Sequence, residues 1–409
     1  MDMGMDMGRD YATSHPGISF RLDLKRSPWI FWNNVGEAHS KCRHLSKTPL
    51  PPALAAKMER VYLAKGARAS AAIEGNSLNE EQAFAAVEGK LEVPQSQEYL
   101  QQELENVINA LARIEGEVHR DGRFEITSGR LRSLNAEVLS GLQVDDHVVP
   151  GEFRLGGIVV GNVYQGPPAK DVELLIDGLC DWLNGADFQR DGKDHAKDFL
   201  RAFLQAVIAH VYIAWIHPFG DGNGRTARLV EFGILTAAGI PSVAAHLLSN
   251  HYNSTRSNYY RQLEHASKSG GDLTPFLCYA AEGFVGELQQ QLNDVHELIV
   301  QATWVNYVHT MFSNPTLSAR RQRDLVLALS PDHYTPRAQL AALTPGLAQA
   351  YASKGSKTVT RDLNALGKLG LIERTSKGIR ARREMMLSFL PRVAPGGEQD
   401  LEALFPAIA

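Results

Sequence analysis

Apolar positions three and four residues apart recur along most of this chain, and that spacing predicts a mainly α-helical fold. From Pro51 to Gly116 the segment is rich in Ala, Leu, Glu and Gln and predicts several amphipathic helices. The stretch from His195 to Trp215, HAKDFLRAFLQAVIAHVYIAW, is apolar around most of its circumference past Asp198, as expected of a central, buried helix. A second apolar helix is predicted over Gly224 to Ala238, stopped by Gly239 ahead of Pro241. Between Gly151 and Pro168 the pattern changes to GEFRLGGIVVGNVYQGPP, β-branched residues alternating among glycines, which predicts a short hairpin. From about Ser318 onward base-rich helices and a second Gly-containing hairpin are expected.

Composition changes this picture in three ways. A length of 409 residues exceeds one core and predicts two or three domains. The 44% hydrophobic and 22% charged content is ordinary for a soluble globular protein, and a net charge of −4 gives no global attraction to nucleic acid or membrane. Cys42, Cys180 and Cys278 are far apart and form no CxxC pair, so neither a disulfide framework nor a zinc site is expected. The start, MDMGMDMGRDYATSHPG, carries acids where a signal peptide needs bases, and no uninterrupted apolar run of about 18 residues follows. The reading is therefore cytoplasmic, without a membrane partner, and with the first twenty residues loosely ordered.

The candidate chemistry is concentrated in HPFGDGNGRTAR, His217 to Arg228, between the two apolar helices. Glycines at a helix N-terminus combine unpaired N–H groups, a partial positive charge and room for close approach, which makes a nest for an anion. Arg225 and Arg228 lie three apart in the first turn and add fork-shaped donors suited to phosphate. Asp221 offers the one carboxylate that Mg2+ bridging two phosphates requires, and His217 is suited to accept a hydroxyl's proton. A tight turn with capping Asp and Asn explains any one of these residues but not all of them within twelve positions. The set points to nucleotidyl or phosphoryl transfer.

The same residues resemble the signature HxFx(D/E)GNGRxxR of the Fic (Fido) family, at every fixed position. The hairpin segment resembles that family's flap, which holds a target segment over the site, and YNSTRSNYYRQL is similar to the helix after the core motif; the resemblance covers about residues 30–290. It implies transfer of AMP from ATP, with Mg2+, to Ser, Thr or Tyr hydroxyls of a target protein, pyrophosphate leaving. On it, His217 is the general base and Asp221 the Mg2+ ligand. Gly220, Gly222, Asn223 and Gly224 surround the phosphates, Arg225 and Arg228 grip them, with Arg228 at the γ end, and Phe219 anchors the loop. Tyr259 and Tyr260 fall where the family places adenine-contacting aromatics; adjacent helical residues face different ways, so one of them is expected in the core. The flap's Gly156, Gly157 and Gly161 are read as hairpin geometry, not a phosphate loop.

A second stretch, SAAIEGNSLNEE from Ser70, reads by itself as a helix corner. Ser70 and Glu74 share a face, Gly75 and Asn76 stop the helix, and Ser77 with Glu80 forms a capping-box pattern. It also resembles the family's inhibitory signature, (S/T)xxxE(G/N), which implies that Glu74 pairs with Arg228 in the place of the γ-phosphate. Two rival activities stay open: hydrolytic removal of AMP, with Glu74 orienting water, and phosphoryl transfer, ranked lower because that branch has Lys where this chain has Gly224.

The C-terminal part supports a hypothesis of another class. In TPRAQLAALTPG, Thr335 is an N-cap candidate with Pro336 in the first turn. Val359, Leu363, Leu366 and Leu369 form one stripe, and residues 354–383 carry nine Lys or Arg against two Asp or Glu. This resembles the winged-helix module often joined to Fic proteins and makes DNA a candidate partner through residues 335–383, although such modules also dock proteins. The expected plan is a loose 1–20, a helical region with the inhibitory helix over 21–116, a catalytic core over 117–290, a connecting helix over 291–314, a winged helix over 315–392 and a tail over 393–409. The oligomeric state stays open, a homodimer included.

Overall fold

The computed structural model describes residues 10–161, 164–313 and 316–387. It is mainly helical and divides into two compact units, residues 1–292 and 293–409. The first nine residues and the expected tail at 393–409 lie outside the described residues.

In the first unit the central helix, His195–Ile216, is capped by Asp194, whose carboxylate accepts from the N–H groups of Ala196 and Lys197. It is long and apolar enough to cross a membrane, but 83% of its most apolar window is buried inside the protein. Ala202, Ala206, Val207, Ile208 and Ala209 are fully buried along it, small residues that allow close packing against the motif helix, Asn223–Ala237. Among the described residues four more helices pack on the motif helix: the serine helix Pro52–Ile73, Glu98–Asp121, Ser128–Val138 and the short Ser242–Ala245. Opposite them, Val172–Leu183 covers the central helix. The predicted hairpin forms with Val159 opposite Gln165 and Val160 opposite Tyr164. The tyrosine helix, Arg256–Lys268, follows the short helix Leu247–Ser254.

Three local expectations are corrected here. Residues 10–20 are not loose: a short helix spans Asp10–Ser14, and Tyr11 and Ile18 are buried. The capping box lies two residues beyond Ser77 and Glu80, because the Asn79 side chain accepts from the Gln82 N–H while the Gln82 side chain accepts from the Asn79 N–H. The connecting helix expected at 291–314 is no separate element, since one helix runs from Thr274 to Met311.

The second unit contains Leu317–Ala328, a 3-10 turn Arg337–Ala342, Pro345–Ala352, Ser356–Lys368 and a hairpin of Ile372–Thr375 with Gly378–Ala381. Thr335 is not an N-cap: its N–H and carbonyl both pair with Ile379, at 2.8 and 2.9 Å. The Thr-Pro capping pattern is used at Thr344 and Pro345 instead. Leu325, Leu340, Leu347, Leu363, Leu366, Leu371 and Ile379 fill the core. Beside them, buried Asp362 accepts from Arg321 Nε at 2.7 Å and the Tyr351 hydroxyl at 2.9 Å.

Candidate active site

The loop between the central and motif helices is held from several directions. His217 ends the central helix with φ 47° and ψ 61°, a left-handed conformation that costs a non-glycine residue about 1–3 kcal/mol and persists only where its surroundings enforce it. Arg154, on the segment leading to the hairpin, supplies that enforcement. Its Nε donates to the His217 carbonyl at 2.7 Å, while its Nη atoms donate to the carbonyls of Gly156, Pro167 and Ile216. Asn223 pins the other side, accepting from the Phe219 N–H at 2.9 Å and donating to the Phe219 carbonyl at 2.8 Å. Phe219 itself is fully buried, as expected of an anchor. Asn135 donates to the Asp221 carbonyl at 2.8 Å, and Gly222 starts the motif helix at φ 75°, a position where a Cβ would be strained.

His217 opens into a cleft of about 970 Å³, shared with Glu74, Gly224, Tyr259, Tyr260 and the hairpin residues Val160 and Tyr164. Its Nδ1 lies 3.2 Å from the Ala214 carbonyl, which only accepts, so Nδ1 carries the proton and Nε2 keeps its lone pair. Burial disfavours the imidazolium, against which the Ala214 carbonyl works, and the net effect holds the His217 pKa below its ordinary value of 6.5. The imidazole is therefore neutral at neutral pH.

At the N-terminus of the motif helix an anion is already present. Arg228 is buried and donates from Nε to Ser70 Oγ at 2.9 Å, and from Nη2 to the Ser70 carbonyl at 2.8 Å and to Glu74 Oε1 at 2.7 Å. Glu74 follows the serine helix directly as its C-cap, and a Cβ on Gly224 would collide with its carboxylate. Hence glycine at 224 is what lets Glu74 rest on the helix end. Burial opposes the charge on Glu74, but the attraction and hydrogen bond of Arg228 outweigh it and hold the carboxyl below its ordinary value of 4.5. Buried Arg228 Nη1 and Arg225 Nε have no hydrogen-bond partner among the described residues, which leaves donor capacity in the site.

The remaining expected residues divide by role. Arg225 pairs through Nη1 with Glu103, at 2.7 Å, and its Nη2 lies 3.4 Å from Asp221. Asp221 keeps its side chain half exposed; its Oδ1 accepts from the Gly222 N–H, and Oδ2, with only a long 3.4 Å contact from Arg225 Nη2, is the oxygen suited to a hard cation. Gly220 closes the turn against Val148, where a Cβ would lie 2.8 Å from Val148 Cγ2. Tyr259 is the core member of the tyrosine pair, buried with its hydroxyl 2.8 Å from His210 Nε2, whereas Tyr260 is exposed and donates to the Ile73 carbonyl at 3.2 Å.

Known proteins resemble this chain in sequence and in fold. The model of the Fic/DOC family matches residues 125–235. The chain carries a Fic/DOC domain. A protein adenylyltransferase fic-1 of Caenorhabditis briggsae is 30% identical over 221 residues, 54% of this chain and 39% of the relative. A protein adenylyltransferase Fic of Drosophila virilis is 30% identical over 261 residues, 64% of this chain and 46% of the relative. The chain thus spans less than half the length of these curated relatives. Among solved structures, a Fic family protein from Desulfovibrio desulfuricans aligns over 90% of this chain and 97% of its own, with TM-score 0.53 and 23% identity. Fic-1 of C. elegans aligns over 66% of this chain and 73% of its own, with TM-score 0.50 and 24% identity. Both agree in fold.

Several residues that shape this Fic/DOC domain were not singled out from the sequence. Arg154 stands in the hairpin segment but shows no motif spacing to the loop it holds, 63 positions away from His217. Glu103 reaches Arg225 across 122 positions and Asn135 reaches Asp221 across 86. Beneath Tyr259 lies a buried group in which the Tyr252 hydroxyl donates to Glu231 Oε1 at 3.0 Å and His210 stands between Glu231 and Tyr259. The sequence signals for this group are polar residues inside apolar helices, Glu231 in the motif helix and His210 in the central helix.

Proposed function

We propose that this chain transfers AMP from ATP to a Ser, Thr or Tyr hydroxyl of a target protein, and that Glu74 holds it inactive. The observation that carries the reading is the Glu74 carboxylate on Gly224 and Arg228, an internal anion in a phosphate-shaped site that opens beside His217. With Glu74 displaced, the N–H groups from Gly222 to Gly224 and the forks of Arg225 and Arg228 receive the polyphosphate. His217 Nε2 takes the proton of the attacking hydroxyl, the new bond forms from that oxygen to the α-phosphorus, and the bond from the α-phosphorus to the bridging oxygen breaks. Pyrophosphate leaves with the electron pair. Asp221 would hold Mg2+, which would supply positive charge to offset that of the polyphosphate. The protein adenylyltransferase relatives support the reaction type.

The test uses Glu74→Gly chain with ATP labelled at either the α or the γ phosphorus. The expected result is label retained in protein from the α position only. Retained γ label would mean phosphoryl transfer. Loss of AMP from a pre-modified protein, with no label gained, would mean removal.

We infer a separate role for residues 316–387 as a winged helix that meets DNA. The supporting observation is the exposure of Lys354, Lys357, Arg361, Lys368, Arg374 and Lys377 on the helix Ser356–Lys368 and around the hairpin. Arg380 and Arg383 add nothing to that surface, because they pair with Glu373 and Glu297. A shift of duplex DNA by the full chain that weakens steeply with salt is expected, and a salt-independent or absent shift contradicts it.

A further inference from the structure

The tyrosine helix acts as a ruler along the cleft. Its first turn is at the anion end: the Tyr260 hydroxyl meets the Ile73 carbonyl at 3.2 Å and Arg256 Nη1 meets the Ala72 carbonyl at 3.4 Å, both next to Glu74. Lys268, its last residue, is eight positions on and roughly 12 Å away at the helical rise, yet it lines the same cleft. That far end is walled by residues 14–18, all five of which face the cleft.

This strap is built, not frayed. Tyr11 is buried and its N–H donates to Asp171 Oδ2 at 3.1 Å. His15 Nε2 lies 2.7 Å from the Gln165 carbonyl on the hairpin. A carbonyl only accepts, so Nε2 holds the proton and Nδ1 accepts from Ser14 Oγ at 2.8 Å. Gly17 rests on the turn after the tyrosine helix, where a Cβ would come within 2.9 Å of the Gly271 nitrogen. Phe20 then enters an aromatic cluster with Tyr212 and Trp182 at φ 49°, a conformation a non-glycine residue keeps only under constraint.

We propose that residues 14–18 are the wall of a nucleoside subsite, so that the base and ribose of the bound nucleotide lie between this strap, the hairpin and the tyrosine helix. The inference rests on the nucleotide reading of the cleft given above. A triphosphate anchored at Gly224 extends its nucleoside away from the charged end, and what it meets there is apolar surface of Pro16, Ile18, Leu263 and Pro167, with Ser14, His15 and Ser267 between them and Glu264 and Lys268 paired to each other across one turn. Apolar surface suits the faces of a flat base, the neutral polar groups beside it suit the edges of the base and the ribose hydroxyls, and the polyphosphate gains nothing from the apolar part.

The experiment is titration calorimetry on the full Glu74→Gly chain and on that chain with His15→Ala or Gly17→Val, using ATP and inorganic tripolyphosphate as ligands. The expected result is ATP binding about tenfold weaker in both strap variants with tripolyphosphate binding unchanged. Equal weakening of both ligands, or no change for ATP, overturns the proposal. His15→Ala introduces no clash and decides the matter should Gly17→Val not fold. A Glu74→Gly parent that binds no ATP overturns the nucleotide reading itself, a result distinct from failure of the strap alone.

Discussion

The two ends of the cleft are made in opposite ways. At the anion end, the groups proposed to meet phosphate come from one turn and one helix start, residues 217–228, and include fixed charge. At the far end, the walls come from residues 14–18, the hairpin and the end of the tyrosine helix, where Pro16, Ile18, Pro167 and Leu263 give apolar surface among polar Ser14, His15 and Ser267 and the mutually paired Glu264 and Lys268. Charge chemistry demands particular residue types at particular spacings, because an anion nest requires glycines at a helix start and forks in its first turn. An apolar wall demands only bulk in the right place, which many residues supply. The first end therefore reads as a chemical site and the second as ordinary packing until the fold joins them.

Substitutions separate the ends, starting with the largest effect. His217→Ala in the Glu74→Gly chain removes the base and is expected to lower transfer by about 10²–10⁴-fold while leaving ATP affinity near that of the parent, measured by label incorporation and calorimetry. Glu74→Gly alone is expected to raise transfer by about 10–100-fold, the worth of one charge-assisted hydrogen bond, because Arg228 keeps both Ser70 contacts and gains a free donor. Ser70→Ala removes one acceptor from Arg228 and leaves Glu74 in place, so leakage of about fivefold in initial rate is expected. A Ser70→Ala chain as active as Glu74→Gly would show that the serine, not the carboxylate, is the brake.

The smallest effect is in the pH dependence. Burial lowers the His217 pKa, so the acid limb of kcat/KM for Glu74→Gly is expected below 6.5, lower still because the removed Glu74 charge had favoured the imidazolium. Wild type is expected to stay inhibited from neutral pH down to 4.5, since the Glu74 carboxyl is held below that value by Arg228. By the same sign, the stability that this carboxylate contributes is present above its ordinary value and is lost as pH falls through the lowered one. Relief of the brake near neutrality would contradict the assignment of Glu74 as its anion.

Legibility in the sequence follows the same division. Helix periodicity revealed the central and motif helices to within one or two residues, and the loop chemistry was complete in twelve positions. Glu74 was found only because its stretch resembled a known signature, since a helix corner explains those residues equally well. Arg154 was missed because what it serves is backbone: its donors meet four carbonyls, which every residue carries. The capping sites shifted from Ser77 to Asn79 and from Thr335 to Thr344 because neighbouring polar residues compete for one role, and the chain's entry into the helix chooses among them. The strap was misread for a simpler reason. Small and polar residues near a terminus predict disorder, while the partners that order this one lie 150 or more positions away.

The most direct test of the central claim is the intact mass of wild type, Glu74→Gly and Glu74→Gly/His217→Ala after incubation with ATP, Mg2+ and a hydroxyl-bearing protein substrate, this chain included. The account predicts an AMP adduct with Glu74→Gly and little or none with the other two. An adduct of equal yield with wild type and Glu74→Gly, or one that survives loss of His217, would contradict it.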